Sequence, residues 1–564
     1  HFSLPQGQPS QRIEFSYIGY QTQTLTPGRR TQLNVVMTDD AHALNEVVVV
    51  GYGTMKKNDL TGAVGSIGTE KLNEKGAPNI LEGLQGSVPG VSITKSSGRA
   101  GGTMNIEIRG KNSISGSQTP LYVVDGIICS DIEFLNPQDI ERIDILKDAS
   151  STAIYGSRAT AGVVMVTTKS GANVAKKVQK PTISYDGYYG VTKVARMPDF
   201  MDANEYYQYR NLAFLTFLNG DENGGRPLYQ NGDLMRTYIQ TDSKDASQGY
   251  RVKEFLAEGR TFDWRDLVLQ DGSQQNHYVA VTGGSDAVHY HMGLGYQQEK
   301  GIYKGDEQQK FTFKGSLDAQ ISKVVSAGFS LNLARQNHDY ASDTGVQNAF
   351  TMNPFMQAYD AEGNINAQPG TYHALGSDFA AFTSAYSPLL YMQDQKSNRL
   401  TWNALGNAYL QITPMKELVF KTTFSPTFSY YRYGFYQGTE VGETENQAQR
   451  QTSQGFSWTW DNILTWDHTF ADIHHLNVMV GQEYRSTGSD YSTISGNNYS
   501  QAFTPEEVFA NMDKGEYNVV QTKTYFNPDD ITVSFFGRLN YTLMDRYLLT
   551  LTFREDGSSK FASG

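Results

Sequence analysis

The residues that could do chemistry are few and scattered. His289 and His291 stand two apart, so one face of a strand would carry both, as two ligands of a metal site require. No carboxylate or cysteine completes the set nearby, and a plain place in a strand wall is the expected role. His474-His475 reads as part of a short solvated turn. Cys129 is the single cysteine and ends a Val-Val-Asp-Gly-Ile-Ile-Cys run, so no disulfide can form within the chain. A small buried apolar side chain is expected there. Gly51-Tyr52-Gly53 lacks the third glycine and the βαβ unit of a dinucleotide site. Asn498-Tyr499-Ser500 and Asn540-Tyr541-Thr542 match the glycosylation tripeptide by coincidence. No nucleophile, base and orienting group fall into one pattern, so neither an enzyme, a cofactor nor a metal is expected. The remaining chemistry is recognition. Ser97, Arg99, Asn112 and Ser113 sit on short Gly-rich loops, where they could hydrogen-bond sugar hydroxyls or a peptide backbone. Tyr431 and Tyr433, in a patch with Tyr430, Phe435 and Tyr436, could stack on sugar rings. Glu46-Val47-Val48-Val49-Val50 is extended by its β-branched run and could add as a strand to another sheet.

These groups need elements to position them. The chain has 564 residues with 47 basic against 59 acidic groups, a net charge of −12 that argues against nucleic acid as a partner. Mean hydropathy is −0.49, and no run approaches the ~18 apolar residues of a spanning helix. A spanning β-barrel passes that test unseen, because only alternate residues face lipid. Residues 1–40 read as the end of a small β-sandwich, with strands at 12–18 and 31–37, and 41–55 as a hinge. Residues 56–180 alternate helix and strand signals as a compact α+β domain. Helices are expected at 79–84, 138–141 and 149–155, and strands at 104–109, 121–124, 142–146 and 162–168.

From residue 181 to 564 strands dominate. In 311–322, Phe311, Phe313, Gly315, Leu317, Ala319 and Ile321 share one face, and Thr312, Lys314, Ser316, Asp318, Gln320 and Ser322 the other. Residues 400–413 and 531–542 repeat this pattern with exceptions. Such runs exceed the five or six residues usual in soluble sheets and suit a tilted bilayer crossing. Eleven strands are expected, starting near 182, 276, 288, 309, 324, 399, 418, 454, 474, 531 and 547. Short links alternate with long ones at about 192–273, 336–397, 438–450 and 486–530, as in outer-membrane barrels. Trp466, Tyr541 and Tyr547 near strand ends suit an interfacial girdle. Tyr206, Tyr207 and Tyr209 read as packing residues of a helix in the first long link. An open sheet edge in lipid is not tolerable, so further strands are expected beyond the C-terminal end.

Long motifs then carry a resemblance. Residues 46–64, from Glu46 through Gly51-Tyr52-Gly53 to Val64, resemble the junction of SusC-like TonB-dependent outer-membrane transporters. Leu121-Tyr122-Val123-Val124-Asp125-Gly126 and the run from Asp139 through Ala153-Ile154-Tyr155-Gly156-Ser157-Arg158-Ala159 to Val164 resemble that family's plug. Asp556-Gly557-Ser558-Ser559-Lys560-Phe561 resembles a barrel motif of the same family. The resemblance implies a transmembrane antiparallel β-barrel of about 22 strands, about 11 of them in this chain, with the α+β plug inside. It also implies that Glu46–Val50 is a Ton box in the periplasm, pulled by the TonB-ExbB-ExbD complex. A SusD-like lipoprotein would cap the barrel, and two such pairs would form a dimer. The cargo would be an oligosaccharide first and an oligopeptide second, with a siderophore or a non-transporting adhesin further behind. The N-terminal piece resembles the carboxypeptidase-regulatory-like extension of these proteins.

Overall fold

The computed structural model describes residues 64–111, 118–171, 180–209, 256–352, 386–516 and 521–560, with short pieces between them. In the N-terminal part, β1 (Ile13–Phe15) pairs antiparallel with β2 (Gln23–Leu25). The strand expected at 31–37 lies, Val35 apart, outside the described residues. β3 (Val47–Val50) and β4 (Gly53–Lys56) form a two-stranded antiparallel hairpin.

Residues 64–168 build the α+β unit. Its strands are β5 (Val64–Gly68), β6 (Val91–Lys95), β7 (Met104–Ile108), β8 (Leu121–Val124), β9 (Ile127–Cys129), β10 (Ile140–Leu146) and β11 (Val163–Thr168). Five of them make a sheet in the order β5-β10-β11-β8-β9, parallel only between β11 and β8, and β6 pairs with β7 separately. The helix Ile80–Leu84 begins where expected, because the Asn79 side chain accepts from the Glu82 N–H at 2.8 Å. Asn136 caps in the same way, accepting from Gln138 N, with Pro137 following. Only a 3₁₀ turn, Pro137–Asp139, forms there. The β-branched series Ile140, Ile143, Ile145 takes the chain straight into β10, whose side chains fill the core with Ile80, Leu84, Ile106, Ile132 and Val164. The helix expected at 149–155 is one turn, Ala149–Thr152, continued as 3₁₀ to Ala159 and broken at Gly156, whose φ is +68°.

The second region is one antiparallel sheet of eleven strands. In sheet order they are β12 (Thr182–Thr192), β15 (Gly272–Gly284), β16 (Val288–Lys300), β17 (Glu307–Gln320), β18 (Val325–Tyr340), β19 (Gln395–Met415), β20 (Leu418–Gln437), β21 (Gln447–Phe470), β22 (His474–Asn497), β23 (Gln521–Leu543) and β24 (Tyr547–Ser558). β13 (Tyr229–Gln230) and β14 (Asp233–Leu234) form a small hairpin in the first long link. Each of the eleven strands expected from residue 181 onward is present. Links 285–287, 321–324, 416–417, 471–473 and 544–546 lie at one rim. Ala471-Asp472 and Met544-Asp545 are left-handed at both positions, the geometry that continues strand twist through a tight hairpin. Links 193–271, 341–394, 438–446 and 498–520 lie at the other rim, beside the short 301–306.

Burial in this sheet is inverted. On β17, Lys310, Lys314 and Ser316 are 4%, 0% and 4% exposed, whereas Phe311 between them is 46% exposed. The polar face points at the α+β unit. The outer face carries Leu294, Phe329, Trp402, Phe424, Phe456, Val480 and Leu551 exposed. An apolar belt of this extent is stable against lipid and not against water. No helix among the described residues is long and apolar enough to cross a membrane.

Candidate functional site

The site is the seam where the α+β unit lies against the polar face of the sheet. At the long-link rim, the β6–β7 hairpin carries Arg99. Its guanidinium donates to Asp306 Oδ1 and to the Ala341 carbonyl, each at 3.2 Å, and ion-pairs with Asp343. It lies 5.9 Å from the ring centres of both Tyr303 and Tyr340. Backbone donors reinforce the contact, with Ala100 N to Asp306 Oδ2 at 2.6 Å and Gly101 N to Glu299 Oε2 at 2.9 Å. Gly101 has φ +55°, and a Cβ there would strike the Gln308 amide. Lys95 also pairs with Glu299 at 3.3 Å.

Halfway along, Lys310 donates to the carbonyls of Glu133 and Leu135. Lys314 donates to Thr168 Oγ1 at 2.5 Å and Ser330 Oγ at 2.8 Å and stands 3.6 Å from Asp125. His291 is buried, bonded to Thr282 Oγ1 at 2.7 Å and 3.8 Å from Asp139, which accepts from Tyr278. Farther round the sheet, Glu483 holds Arg158 at 3.2 Å and Arg554 at 3.0 Å. Arg554 also donates to the Ile154 carbonyl at 2.9 Å and to Asp556 at 2.8 Å. Two motifs far apart in sequence therefore meet. Gly156 lies so close to Asp556 that a Cβ would stand 2.6 Å from its Oδ2.

The sequence-derived candidates fall into different places. Ser97 Oγ accepts from Arg99 N at 3.4 Å and braces its own loop, while Arg99 is the clamp just described. Asn112 and Ser113 lie outside the described residues. The aromatic patch is divided by strand alternation. Tyr431 and Tyr433 share the face of Lys421 and Ser425, toward the seam, and Tyr430 and Tyr436 the opposite face. Arg399 stands 4.4 Å over the Tyr431 ring, and Ser397 Oγ is 3.4 Å from the Tyr433 hydroxyl. Tyr436 packs outside, against Ala448, Tyr499, Val508 and Met512. Tyr206 and Tyr207 pack near Trp264, as expected, whereas Tyr209 is 51% exposed and does not. His474-His475 is corrected: both open β22 instead of sitting in a turn, and His474 Nδ1 bonds Tyr541 at 2.7 Å. Val47–Val50 is extended but paired with Gly53–Lys56, and Glu46 lies outside the described residues.

One cavity is lined by the α+β unit alone and another opens on the seam. The first, of about 440 Å³, is lined by Thr94, Glu107, Tyr122, Asp131 and Glu133. Burial pushes the Glu133 carboxyl up to about 7, against the Met104 N–H bond that favours its charge. The other, of about 260 Å³, lies between β9 with the residues after it and strands β19–β22. Cys129 faces it. Burial raises its thiol to about 12, which leaves it a protonated, unreactive side chain. No group of three His, Cys, Asp or Glu among the described residues is arranged to hold a metal. The Arg158–Glu483–Arg554 and Lys314–Asp125 contacts were not legible beforehand. The signal available was a charge on the polar face of an otherwise lipid-suited strand.

A polar seam between a small α+β unit and an inverted sheet defines a plugged transmembrane β-barrel. The sequence model of the TonB-dependent Receptor Plug Domain matches residues 56–163. TonB-dependent receptor P26 of Formosa agariphila is 30% identical over 99% of this chain and 52% of its own length. TonB-dependent receptor SusC of Bacteroides thetaiotaomicron is 28% identical over 98% of this chain and 52% of its own. The chain thus spans about half the length of the curated relatives it matches. The RagAB peptide importer in its open-open state aligns with a TM-score of 0.73 at 23% identity, over 92% of this chain and 57% of that one. The chain is thus similar to SusC and other TonB-dependent receptors, with a match to their plug domain packed against eleven antiparallel strands.

Proposed function

We propose that the whole protein is an outer-membrane importer, energised by TonB and its ExbB-ExbD motor, that takes up oligosaccharides delivered by a SusD-like surface lipoprotein. The observation that carries this reading is the charged clamp at the seam. Beside the apolar packing of Ile154 and Tyr155 against Ile463, Met479 and Phe536, Arg99, Lys314 and Glu483 hold the unit by polar contacts that water can replace when it moves. On this reading residues 1–40 are a periplasmic extension, 41–55 the Ton box and hinge, 56–180 the plug and 181–564 part of the barrel. TonB would engage Glu46–Val50 by strand addition. That engagement is compatible with the β3–β4 hairpin, in which Val47–Val50 keeps one backbone edge unpaired among the described residues. Tyr431, Tyr433 and Arg399 would meet cargo above the plug, stacking on sugar rings while the guanidinium reaches hydroxyls.

A second reading, oligopeptide cargo, is favoured by one observation. β9 is an edge strand of the plug sheet and borders the 260 Å³ cavity, where an extended peptide could pair with it. Deleting Glu46–Val50 tests the energised mechanism. Uptake should fall to background while surface binding is retained, and undiminished uptake would overturn it.

A further inference from the structure

Four adjacent strands facing the plug carry a grid of short side chains. Strand register aligns Asn403, Ser429, Gly455 and Ser489 in one row, and Leu405, Thr427, Ser457 and Thr487 in the next. Serine, threonine and glycine at consecutive inward positions leave the space that forms the 260 Å³ cavity. The following row runs from Ser425 through Thr459 to Arg485. Arg485 lines that cavity and among the described residues is the one cation that does so.

Its guanidinium is unclaimed. Among the described residues no hydrogen bond or ion pair reaches it, although the charges of Glu483 and Asp530 act on it from a distance. Glu483, two residues along the same face, holds Arg158 and Arg554. Asp530, across on β23, holds Lys560 at 2.9 Å. Asp131, the acid lining the plug side, accepts from Glu133 N at 2.8 Å and is not paired with Arg485. Arg158 adds positive charge close by. A half-buried guanidinium presents a rigid planar fork of donors, and the partner it matches best is an oxyanion held at two oxygens. The cavity lies just under the ~300–1,000 Å³ of sites for drug-sized molecules, so it takes one unit of a longer oligomer.

We propose that Arg485 and the surrounding hydroxyl grid form a subsite for a carboxylate-bearing unit of the imported oligomer, a uronate residue of an acidic oligosaccharide. The inference rests on the import reading and narrows its substrate class. Arg485 pairs with the carboxylate, and Asn403, Ser429, Ser457 and Ser489 hydrogen-bond the hydroxyls of the same ring.

The test uses the full-length receptor in outer-membrane vesicles. The probe is a pool of oligosaccharides from hydrolysed acidic polysaccharides, half of it carboxyl-reduced to the neutral form, with retained species quantified by mass spectrometry. The expected result is at least tenfold enrichment of acidic over reduced members. Arg485→Met should abolish the enrichment and leave retention of neutral members unchanged, and Arg485→Lys should keep part of it. Equal retention of both forms by the wild type, or enrichment that survives Arg485→Met, overturns the subsite. A parallel pool of peptides with free or amidated C-termini separates the sources. Arg485-dependent preference for free C-termini with no retention of sugars overturns the uronate assignment in favour of a peptide carboxylate. Retention of nothing from either pool overturns the import reading itself.

Discussion

The plug and the wall are built from the same strand alternation and bury opposite faces of it. In β10 and β11 the apolar residues Ile143, Ile145 and Val164 are almost wholly enclosed. In β17 the enclosed residues are Lys310 and Lys314, and Phe311 stands outside. The plug has an apolar core that excludes water. The wall has water and plug on one side and an apolar medium on the other, so its polar groups take the inside. Burying Lys310 and Lys314 in this way is tolerable because each finds oxygen partners. The difference teaches that alternation defines two faces, and that the solvent on each side decides which is the interior.

The largest expected effect breaks the wall's inner face. Glu483→Ala leaves Arg158 and Arg554 without their shared carboxylate in a buried site. A loss of about 3–5 kcal/mol is expected, read by urea titration of the folded receptor, with Glu483→Gln milder. If Glu483→Ala is neutral, the buried charges are not what hold the plug there. The outer face should respond in the opposite sense to polarity. Leu294 is 62% exposed midway along β16, and Leu294→Arg should cost about 2–4 kcal/mol in a bilayer, measured by the same titration in lipid vesicles. An unchanged midpoint would place that face in water.

The smallest effect sharpens the plug side. Burial raises Glu133 to about 7 from an ordinary 4.5, so the folded plug holds a proton that the unfolded chain releases. Glu133 therefore favours the folded state fully below about pH 4.5, and that advantage is lost as pH rises through 7. A decline on the order of 1–3 kcal/mol across that window is expected in protease-protection assays of the plug, and Glu133→Gln should flatten it. A variant with the wild-type slope would move the titration to another group.

Much of the architecture was legible because barrel strands obey a short-range rule. Where one face meets lipid, as in 311–320, apolar residues recur at every second position. Strand ends were read less well. Residues 486–497 and 521–530 look like loop because both faces are polar there, yet they extend β22 and β23. Beyond the apolar belt nothing in the side-chain pattern marks a strand, and only pairing with a neighbour does. Asn136-Pro137 failed for the converse reason. Its helix-start chemistry is real, but the β-branched run after it and the sheet beside it win.

By itself the sequence determined the two kinds of region, the number of strands in the second, and which rim carries the long links. Each follows from neighbours within a few residues: turn chemistry, caps and side-chain period. Only the tertiary structure decided which residues make the seam. Arg99 with Asp306, Gly156 with Asp556 and Lys314 with Asp125 are separated by about 190 to 400 positions in the chain. No local propensity encodes such pairs. They exist because the folded plug and the wall place charges opposite one another where water is excluded, so that each ion must be matched. The Arg485 guanidinium, which among the described residues no hydrogen bond or ion pair reaches, became visible in the same way, because only the fold sets Glu483 and Asp530 against other cations.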